Sequence, residues 1–487
     1  MISKLLTETL IQIFNELELD ELFSCILVNR EWCKIVVPIL WSDPWKNIDI
    51  YVVFNTKYIG HGNIKKYILL ISTYISCLSD DDRNNLKLFG IPISNLKPFF
   101  DYPIFLRYLN YHHFIFLINK FVFEKIGNNN DENLTKLIIK KIWNLFKEKC
   151  KKLNHFGLLN PYGENINYRF DKIFNDDDDD SFIINNNGSL VENKNIFKNI
   201  TSFQCDGNLQ PLILFKLGNI CKLIQDIKID NISQDNEGIA YLIKSQKSIQ
   251  KLFLGFYYDT PKSGFIKIEK VLKGIDSLNQ LILSGRFPLS LNLFSKCSKL
   301  QELELLLNES NNGMEEFVRN KFPELRYLKI CFRKLSAGQL SLLINNTQGK
   351  IEKIFIIGCK IIDPENSNIF KNSIINKCSN LRELALYVEP IGDFLPPLSD
   401  LFQQCIHLEF IILNGSKFNE TYDFGQDLME VIQYIPKNLK YILVPNNFCS
   451  NKDLLKEFGE LILFTGIPQP GLNYSTGFPI EIIHRES

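Results

Sequence analysis

The chain has 487 residues, with 55 Lys and Arg against 55 Asp and Glu, so its formal net charge is zero. That balance argues against nucleic acid as the main partner, because phosphate binding usually leaves a basic surplus, and against a polybasic membrane anchor. No stretch reaches the roughly 20 apolar residues of a spanning helix, so we expect no membrane span. Glu8 and the lack of a small-residue cleavage site argue against a secretory signal, and twelve cysteines then indicate reduced thiols in an intracellular protein.

Residues 1–45 are predicted to form three short helices. The first carries an apolar stripe at helical spacing, the second begins at a break that Asp20 can cap, and the third bears Trp32. Three helices in so few residues cannot bury all of these apolar groups among themselves. The unsatisfied apolar face therefore predicts a surface for a partner.

This stretch resembles an F-box, the motif by which subunits of SCF ubiquitin ligases bind a Skp-type adaptor. The matching positions are Leu5, Glu8, Leu10, Ile13, Phe14, Leu17, Leu22, Cys25, Val28, Arg30, Trp32, Pro38, Leu40 and Trp41. One position departs from the pattern, because Leu6 stands where the proline after the first leucine is usual. The segment from Leu27 to Trp41 is similar to F-box proteins of fungi, which often carry leucine-rich repeats behind the box.

The resemblance implies a Skp-type adaptor as partner, and through it a cullin scaffold, in the cytoplasm or nucleus. The residues that it assigns to adaptor contact are Leu5, Leu10, Ile13, Phe14, Leu17, Leu22, Val28, Trp32 and Trp41. The competing interpretation of residues 5–41 is a helical hairpin that caps the repeats. Residues 46–150, which are aromatic and irregular in pattern, are predicted as a helical connector.

From 151 to 465 one phrase recurs, an apolar residue followed by further apolar residues at offsets 3 and 5. Ten copies start 22 to 31 residues apart, at Ile200, Ile224, Ile249, Leu278, Leu300, Leu325, Ile351, Leu381, Leu408 and Leu439. An earlier copy begins at Leu153 and a less regular terminal one is Phe458/Leu461/Leu463, which makes about 11 or 12 repeats. The spacing is close to the roughly 20–29 residues typical of leucine-rich repeats.

The pattern predicts an α/β fold in which each repeat is a strand plus a helix. Offsets 3 and 5 share one face of the strand and point into the core, whereas offsets 2 and 4 face outward. Apolar residues at helical spacing lie between strands, as in Leu398, Leu401, Phe402 and Cys405. We expect a solenoid of horseshoe form, with parallel strands on its concave face and helices outside.

Two features interrupt or decorate the repeats. Cys297, Cys378 and Cys405 each stand three residues before the first apolar position of a repeat, which indicates small buried fillers rather than reactive thiols. The stretch 176–187 is rich in Asp and Asn and is predicted as a mobile acidic loop. A metal site in that loop is the alternative interpretation.

The outward strand positions turn from charged to aromatic toward the C-terminus. We predict that Phe355, Tyr387, Phe410, Ile412 and Tyr441 dock the target, because aromatic clusters on a polar face are typical interface anchors. The alternative is that part of the tail at 466–487, from Pro468 to Ser487, folds back over these side chains.

The sequence lacks the patterns that catalysis would require. None of its six histidines belongs to HExxH, and there is no Walker A loop or GxSxG turn. We therefore expect no enzyme, cofactor or bound metal, unless the fold converges a set of polar groups. The favoured function is a substrate-recognition subunit of an SCF-type ubiquitin ligase with a target protein yet to be identified. The alternative is a non-degradative scaffold that binds the adaptor or other partners without cullin.

Overall fold

A computed structural model describes residues 6–46, 61–93, 97–127, 132–159, 194–261, 264–308, 313–332, 334–361, 363–389, 395–414, 432–445 and 462–465. The chain divides into two compact units. Unit 1 comprises Met1–Ile229 and Tyr241–Ser248, and unit 2 comprises Asp230–Ala240 and Ile249–Ser487. The acidic stretch 176–187 and the tail 466–487 lie outside the described residues.

Unit 1 begins with a group of helices. They are α1 (Thr7–Asn15), α2 (Leu19–Ile26), α3 (Arg30–Leu40), α4 (His61–Ser76), α5 (Asp80–Leu88), α6 (Tyr111–Ile126) and α7 (Glu132–Lys149), with a 3-10 turn at Tyr102–Phe105. The core of α4, α6 and α7 is aromatic, since Tyr74 and Phe146 pack edge to face with ring centroids 5.0 Å apart. The predicted helical character of residues 46–150 is therefore present over most of its described part.

Short strands alternate with helices through the rest of unit 1. The strands are β1 (Tyr108–Asn110), β2 (His155–Leu158), β3 (Ser202–Asp206) and β4 (Asp226–Ile232), and the helices are α8 (Lys194–Phe197), α9 (Pro211–Ile220) and α10 (Glu237–Lys244). The bounds of the units fall within β4 and within α10, so only Asp226–Ile229 and Tyr241–Lys244 of these two elements belong to unit 1. β1, β2 and β3 pair in parallel, and β4 follows β3 in the sheet. Strand β1 lies inside the segment predicted as a helical connector, so that prediction missed a strand.

Unit 2 continues the same alternation. Its strands are β5 (Lys251–Phe256), β6 (Gln280–Gly285), β7 (Glu302–Leu307), β8 (Tyr327–Phe332), β9 (Lys334–Leu335), β10 (Lys353–Ile361), β11 (Glu383–Glu389), β12 (Phe410–Asn414), β13 (Tyr441–Pro445) and β14 (Ile462–Thr465). Its helices are α11 (Ile266–Leu272), α12 (Met314–Phe317), α13 (Ala337–Asn345), α14 (Ser367–Lys377) and α15 (Leu398–Gln404), with 3-10 turns at Leu291–Phe294, Pro364–Asn366 and Ile432–Tyr434. The strands pair in parallel in chain order, with β9 beside β10.

The register of the strands in unit 2 follows the repeat. The offset-3 residues stand opposite one another from β5 to β13 and are almost fully buried: Leu252, Leu281, Leu303, Leu328, Ile354, Leu384, Ile411 and Ile442. The predicted α/β leucine-rich-repeat fold is thus confirmed. The terminal copy is corrected, because Ile462 rather than Leu461 stands opposite Ile442.

In most of the described repeats, one carbonyl joins the repeat to the next by accepting two consecutive backbone N–H groups. Gln301 O, for example, accepts from Arg326 N at 2.8 Å and from Tyr327 N at 3.0 Å. In unit 1 the carbonyls that play this role belong to Arg107, Asn154 and Thr201, and in unit 2 they belong to Gln250, Asn279, Gln301, Arg326, Glu352 and Arg382. We call this series the carbonyl ladder. It fixes the register of each strand before its first paired residue.

Buried side chains three residues before each repeat form a second series of contacts. Cys405 Sγ donates to the Cys378 carbonyl at 3.3 Å, and Cys297 Sγ donates to the Ile275 carbonyl at 3.5 Å. Gln246 occupies the same position and donates to the Cys221 carbonyl at 2.9 Å. The cysteines are therefore small donors that satisfy a carbonyl of the preceding repeat, which agrees with their prediction as buried fillers.

Burial raises the pKa of Cys221 to about 12, of Cys297 to about 11 and of Cys405 to about 12. Only the thiolate reacts with iodoacetamide, so these thiols should resist alkylation at pH 8 in the folded protein and react after unfolding in urea. Mass spectrometry of alkylated peptides measures this directly. Leu27→Cys supplies the positive control, because that position is fully accessible. Labelling of the three thiols at the control's rate in native buffer would contradict the burial.

Candidate functional site

The N-terminal module, formed by α1, α2 and α3, has a closed core of its own. Leu10, Phe14, Leu22 and Val36 are buried against one another. Trp32 packs on Phe14 edge to face, with ring centroids 4.9 Å apart. The start of α3 is fixed because Asn29 Oδ1 accepts from Trp32 N at 2.9 Å. These contacts explain how three helices hold a fixed arrangement.

The predicted adaptor-contact residues divide into three groups. Leu10, Phe14 and Leu22 are core residues of the module, and Leu17 and Trp32 are half-buried against that core. Ile13 and Val28 are exposed, and Trp41 packs on α4 and on the 3-10 turn that precedes β1. Leu5 lies outside the described residues. The structure therefore places the eight described residues on one module, where Ile13 and Val28 are exposed and the other six are buried or half-buried.

Further apolar side chains of the module are exposed at the start of α1, on α2 and in the turn between α2 and α3. Leu27 exposes 86% of its surface and Val28 exposes 58%. We call the set the module patch: Leu6, Ile13, Phe23, Leu27 and Val28. The sequence pattern does not predict Leu6, Phe23 and Leu27 as contact residues, because apolar spacing identifies a helical stripe but does not say which side of it closes the core.

The module is attached to the repeats through its C-terminal end. Ser42 O accepts from Arg107 N at 2.9 Å and from Tyr108 N at 3.0 Å, so Ser42 supplies the first rung of the carbonyl ladder. Trp45 Nε1 donates to the Tyr108 carbonyl at 3.0 Å. Trp41 packs on Tyr102 with ring centroids 4.1 Å apart and the ring planes tilted by 37°. The module is therefore held to β1 as if it were a preceding repeat.

The predicted target-docking residues form an aromatic patch on the outward face of β10–β13. Its members are Phe355, Tyr387, Phe410, Ile412 and Tyr441, and all are half-buried. Phe410 and Tyr441 stand opposite each other in the register, with ring centroids 4.7 Å apart. Ile412 stands opposite Ala385, which in turn stands opposite Phe355. The structure thus brings the predicted residues together on one continuous face of unit 2.

Charged side chains surround the aromatic patch, and they are paired. Lys353 Nζ lies 2.7 Å from Glu383 Oε1, and Lys329 Nζ lies 3.4 Å from Glu304 Oε2. Burial, with smaller contributions from the carboxylate of Glu383 and from Tyr387, raises the pKa of Tyr441 to about 12. Its hydroxyl is therefore neutral near pH 7 and can donate a hydrogen bond to a ligand.

A row of alternating charges runs along the edge of this face, one residue before each strand. It consists of Arg326, Glu352, Arg382, Glu409 and Lys440. Glu409 bonds on both sides, with Lys440 Nζ at 2.9 Å and Arg382 Nη1 at 3.3 Å. The hydrogen bond from Lys440, together with both cations, holds the pKa of Glu409 below its usual value. Both carboxylates of the row are paired, and its three cations share these two partners, so the row keeps little net charge beside the aromatic patch.

Within the described ranges, no three or more His, Cys, Asp or Glu side chains are grouped to hold a metal ion. The acidic stretch, for which a metal site was the alternative interpretation, lies outside those ranges. No helix in the described part of the chain is long and apolar enough to cross a membrane.

No protein-family model matches the chain, and no curated protein matches it. Among solved structures, the chain is similar to the yeast Rad7 and Elc1 complex at 13% identity, covering 74% of this chain and 91% of that one with a TM-score of 0.39. It is also similar to an internalin of Listeria monocytogenes at 14% identity, covering 57% of this chain and 83% of that one with a TM-score of 0.33. The TLR13–ssRNA13 complex shows 15% identity, with 66% and 44% covered and a TM-score of 0.33.

Stability measurements can test which residues of the module form its core and which belong to the exposed module patch. Phe14→Ala removes a side chain that is 1% exposed and should lower the free energy of unfolding of the module by about 3 kcal/mol or more. Urea unfolding followed by tryptophan fluorescence measures the change, because Trp32 lies against Phe14. Leu27→Ala is the matched control and should shift the free energy by less than about 0.5 kcal/mol. Equal losses for the two variants would show that the core is assigned to the wrong residues.

Proposed function

We propose that the chain is the substrate-recognition subunit of an SCF-type ubiquitin ligase. The N-terminal module docks a Skp-type adaptor, the adaptor joins a cullin scaffold, and the repeats hold a target protein. The observation that carries the proposal is the module patch, which leaves large apolar side chains exposed on a module whose own core is closed. Exposure of these apolar side chains to water is unfavourable in free energy, and burial against a partner removes that cost.

The module patch refines which residues meet the adaptor. In this proposal Ile13 and Val28 make direct contact, and Leu6, Phe23 and Leu27 join them. The core residues act indirectly, because they hold in place the helices that carry the module patch: Leu10, Phe14, Leu17, Leu22 and Trp32. Trp41 keeps the module fixed to the repeats through Tyr74 and Tyr102.

The chain contributes to ubiquitin transfer by position rather than by chemistry. A target held on the repeats is kept near the charged conjugating enzyme, which raises the effective concentration of its lysines. The catalytic steps belong to other subunits. The aromatic patch is the proposed target-docking surface, since half-buried aromatic side chains supply contact area with little loss of side-chain entropy.

The double variant Leu27→Asp/Val28→Asp should abolish capture of the Skp-type adaptor, because it replaces two exposed apolar members of the module patch with charges. We expect at least a tenfold loss in a pull-down with the purified adaptor, since interface centres carry most of the binding energy. Leu212→Asp, at an exposed apolar position on α9, is the control and should bind normally. Normal capture by the double variant would exclude the module patch. Capture of adaptor without cullin from a cell extract would favour the non-degradative scaffold.

Phe410→Ser/Tyr441→Ser should reduce target capture by the repeats while leaving adaptor capture intact. The measurement is affinity capture with neddylation blocked, comparing the proteins bound by wild type and variant. Ile406→Ser is the control, since Ile406 is exposed but lies in the turn before β12 rather than on the strand face. An unchanged set of bound proteins would contradict docking at the aromatic patch. Deletion of residues 468–487 tests the alternative that the tail covers the aromatic patch. If the tail covers the patch, its removal should raise target capture.

A further inference from the structure

The outward face of unit 1 carries a polar row that differs in chemistry from the aromatic patch. Tyr108, His155 and Ser202 stand opposite one another in the register of β1, β2 and β3, and Asp226 begins β4. The next residue on each strand points the other way and is almost completely buried: Leu109, Phe156, Phe203 and Ile227. The first four side chains therefore share one half-exposed surface.

Hydrogen bonds connect this row. His155 Nδ1 lies 2.9 Å from Ser202 Oγ, and Ser202 Oγ donates to Asp226 Oδ2 at 2.9 Å. A carboxylate accepts hydrogen bonds and cannot donate, so the single hydroxyl hydrogen of Ser202 is committed to Asp226. His155 must then donate from Nδ1, which leaves its Nε2 lone pair as an acceptor.

The direction of these hydrogen bonds argues against Ser202 as a catalytic nucleophile. A catalytic serine gives its proton to the histidine, whereas here Ser202 donates to the carboxylate and accepts from His155. Burial lowers the pKa of His155, against an opposing effect of the Asp226 charge, so the ring is neutral near pH 7. The row therefore has the chemistry of a binding site rather than of an acyl-transfer site.

The acceptor atoms of this row that are not used in these bonds lie beside an aromatic ring. Within the described ranges Asp226 forms no ion pair, and its carboxylate keeps one oxygen that does not accept from Ser202. The Tyr108 ring is 42% exposed and stacks on His155 with ring centroids 5.6 Å apart. Lys228, one position further along the outward face of β4, makes a contact of its own.

A second row of side chains supports the first. Gly157 follows His155 on the same face, and a methyl group there would lie 2.6 Å from Gln204 Nε2 and 3.1 Å from Asn110 Nδ2. The amides of Gln204 and Asn110 therefore converge over the bare backbone of Gly157. A side chain at Gly157 would displace them, which indicates a built surface rather than a chance group of polar residues.

We propose that the row of Tyr108, His155, Ser202 and Asp226 binds an arginine side chain of the target protein. A guanidinium group is planar, always charged and rich in donors, so it can stack on an exposed tyrosine ring while donating to His155 Nε2 and to Asp226. The inference rests on the proposed function only in taking the ligand to be a segment of a protein target.

The test uses peptide libraries and the full chain. The probes are immobilised random nonapeptides whose central residue is fixed as arginine or as citrulline, its neutral isostere. The wild-type chain should bind the arginine library about tenfold more strongly, since a charge-assisted hydrogen bond is worth more than a neutral one. Asp226→Asn should remove that preference while preserving the shape of the side chain. Glu302→Gln, an exposed acid that begins β7, is the matched control and should keep it.

Equal binding of the two libraries by the wild type would overturn the proposal, as would an arginine preference that survives Asp226→Asn. Thermal unfolding of each variant checks that the fold is intact. If Asp226→Asn does not fold, Ser202→Ala replaces it and should reduce the preference several-fold by freeing the His155 tautomer, whereas an undiminished preference would refute the relay. Adaptor capture is measured on the same variants. No arginine preference in the wild-type chain, with normal adaptor capture, refutes this inference alone, and failed adaptor capture by a wild-type chain that shows the preference refutes only the ubiquitin-ligase function.

Discussion

The carbonyl ladder is the constraint on which the repeats in each unit depend. One oxygen accepts two consecutive N–H groups of the following repeat, at 2.7–3.1 Å, and this pair of bonds sets where the next strand starts. Because a one-residue shift would turn every side chain to the opposite face, the ladder also decides which residues are buried and which can bind. The outward rows that carry the aromatic patch and the polar row are therefore products of backbone geometry.

The repeat strands could be predicted from the sequence because burial imposes a period on the chain. Leu303, Leu328 and Ile354 recur at near-constant spacing, since each must enter the same core. β1 was missed although Leu106, Leu109 and Tyr111 repeat the phrase and are all fully buried. Tyrosine at the last position hid the pattern, and only the packing of its ring against the core shows that it serves as an apolar residue there.

The candidate sites show a different limit. Phe14 and Val28 are both apolar and both match the F-box pattern, yet one is 1% exposed and the other 58%. Their positions along the chain do not distinguish them, because three helices can close a core in more than one way. The polar row could not be predicted from the sequence either. His155, Ser202 and Asp226 are separated by 47 and 24 residues and meet only through strand pairing.

The bond from Ser42 to Arg107 and Tyr108 has a consequence for solubility. β1 is the first strand in the order of the sheet, and an unprotected first strand would present free N–H groups to any extended chain that it met. Ser42 and the Trp45 indole occupy the backbone groups at the start of that strand. A chain truncated to the repeats alone would expose this edge, so self-association through added strands would accompany loss of the module. The module therefore protects the first strand of the sheet from aggregation, in addition to carrying the module patch.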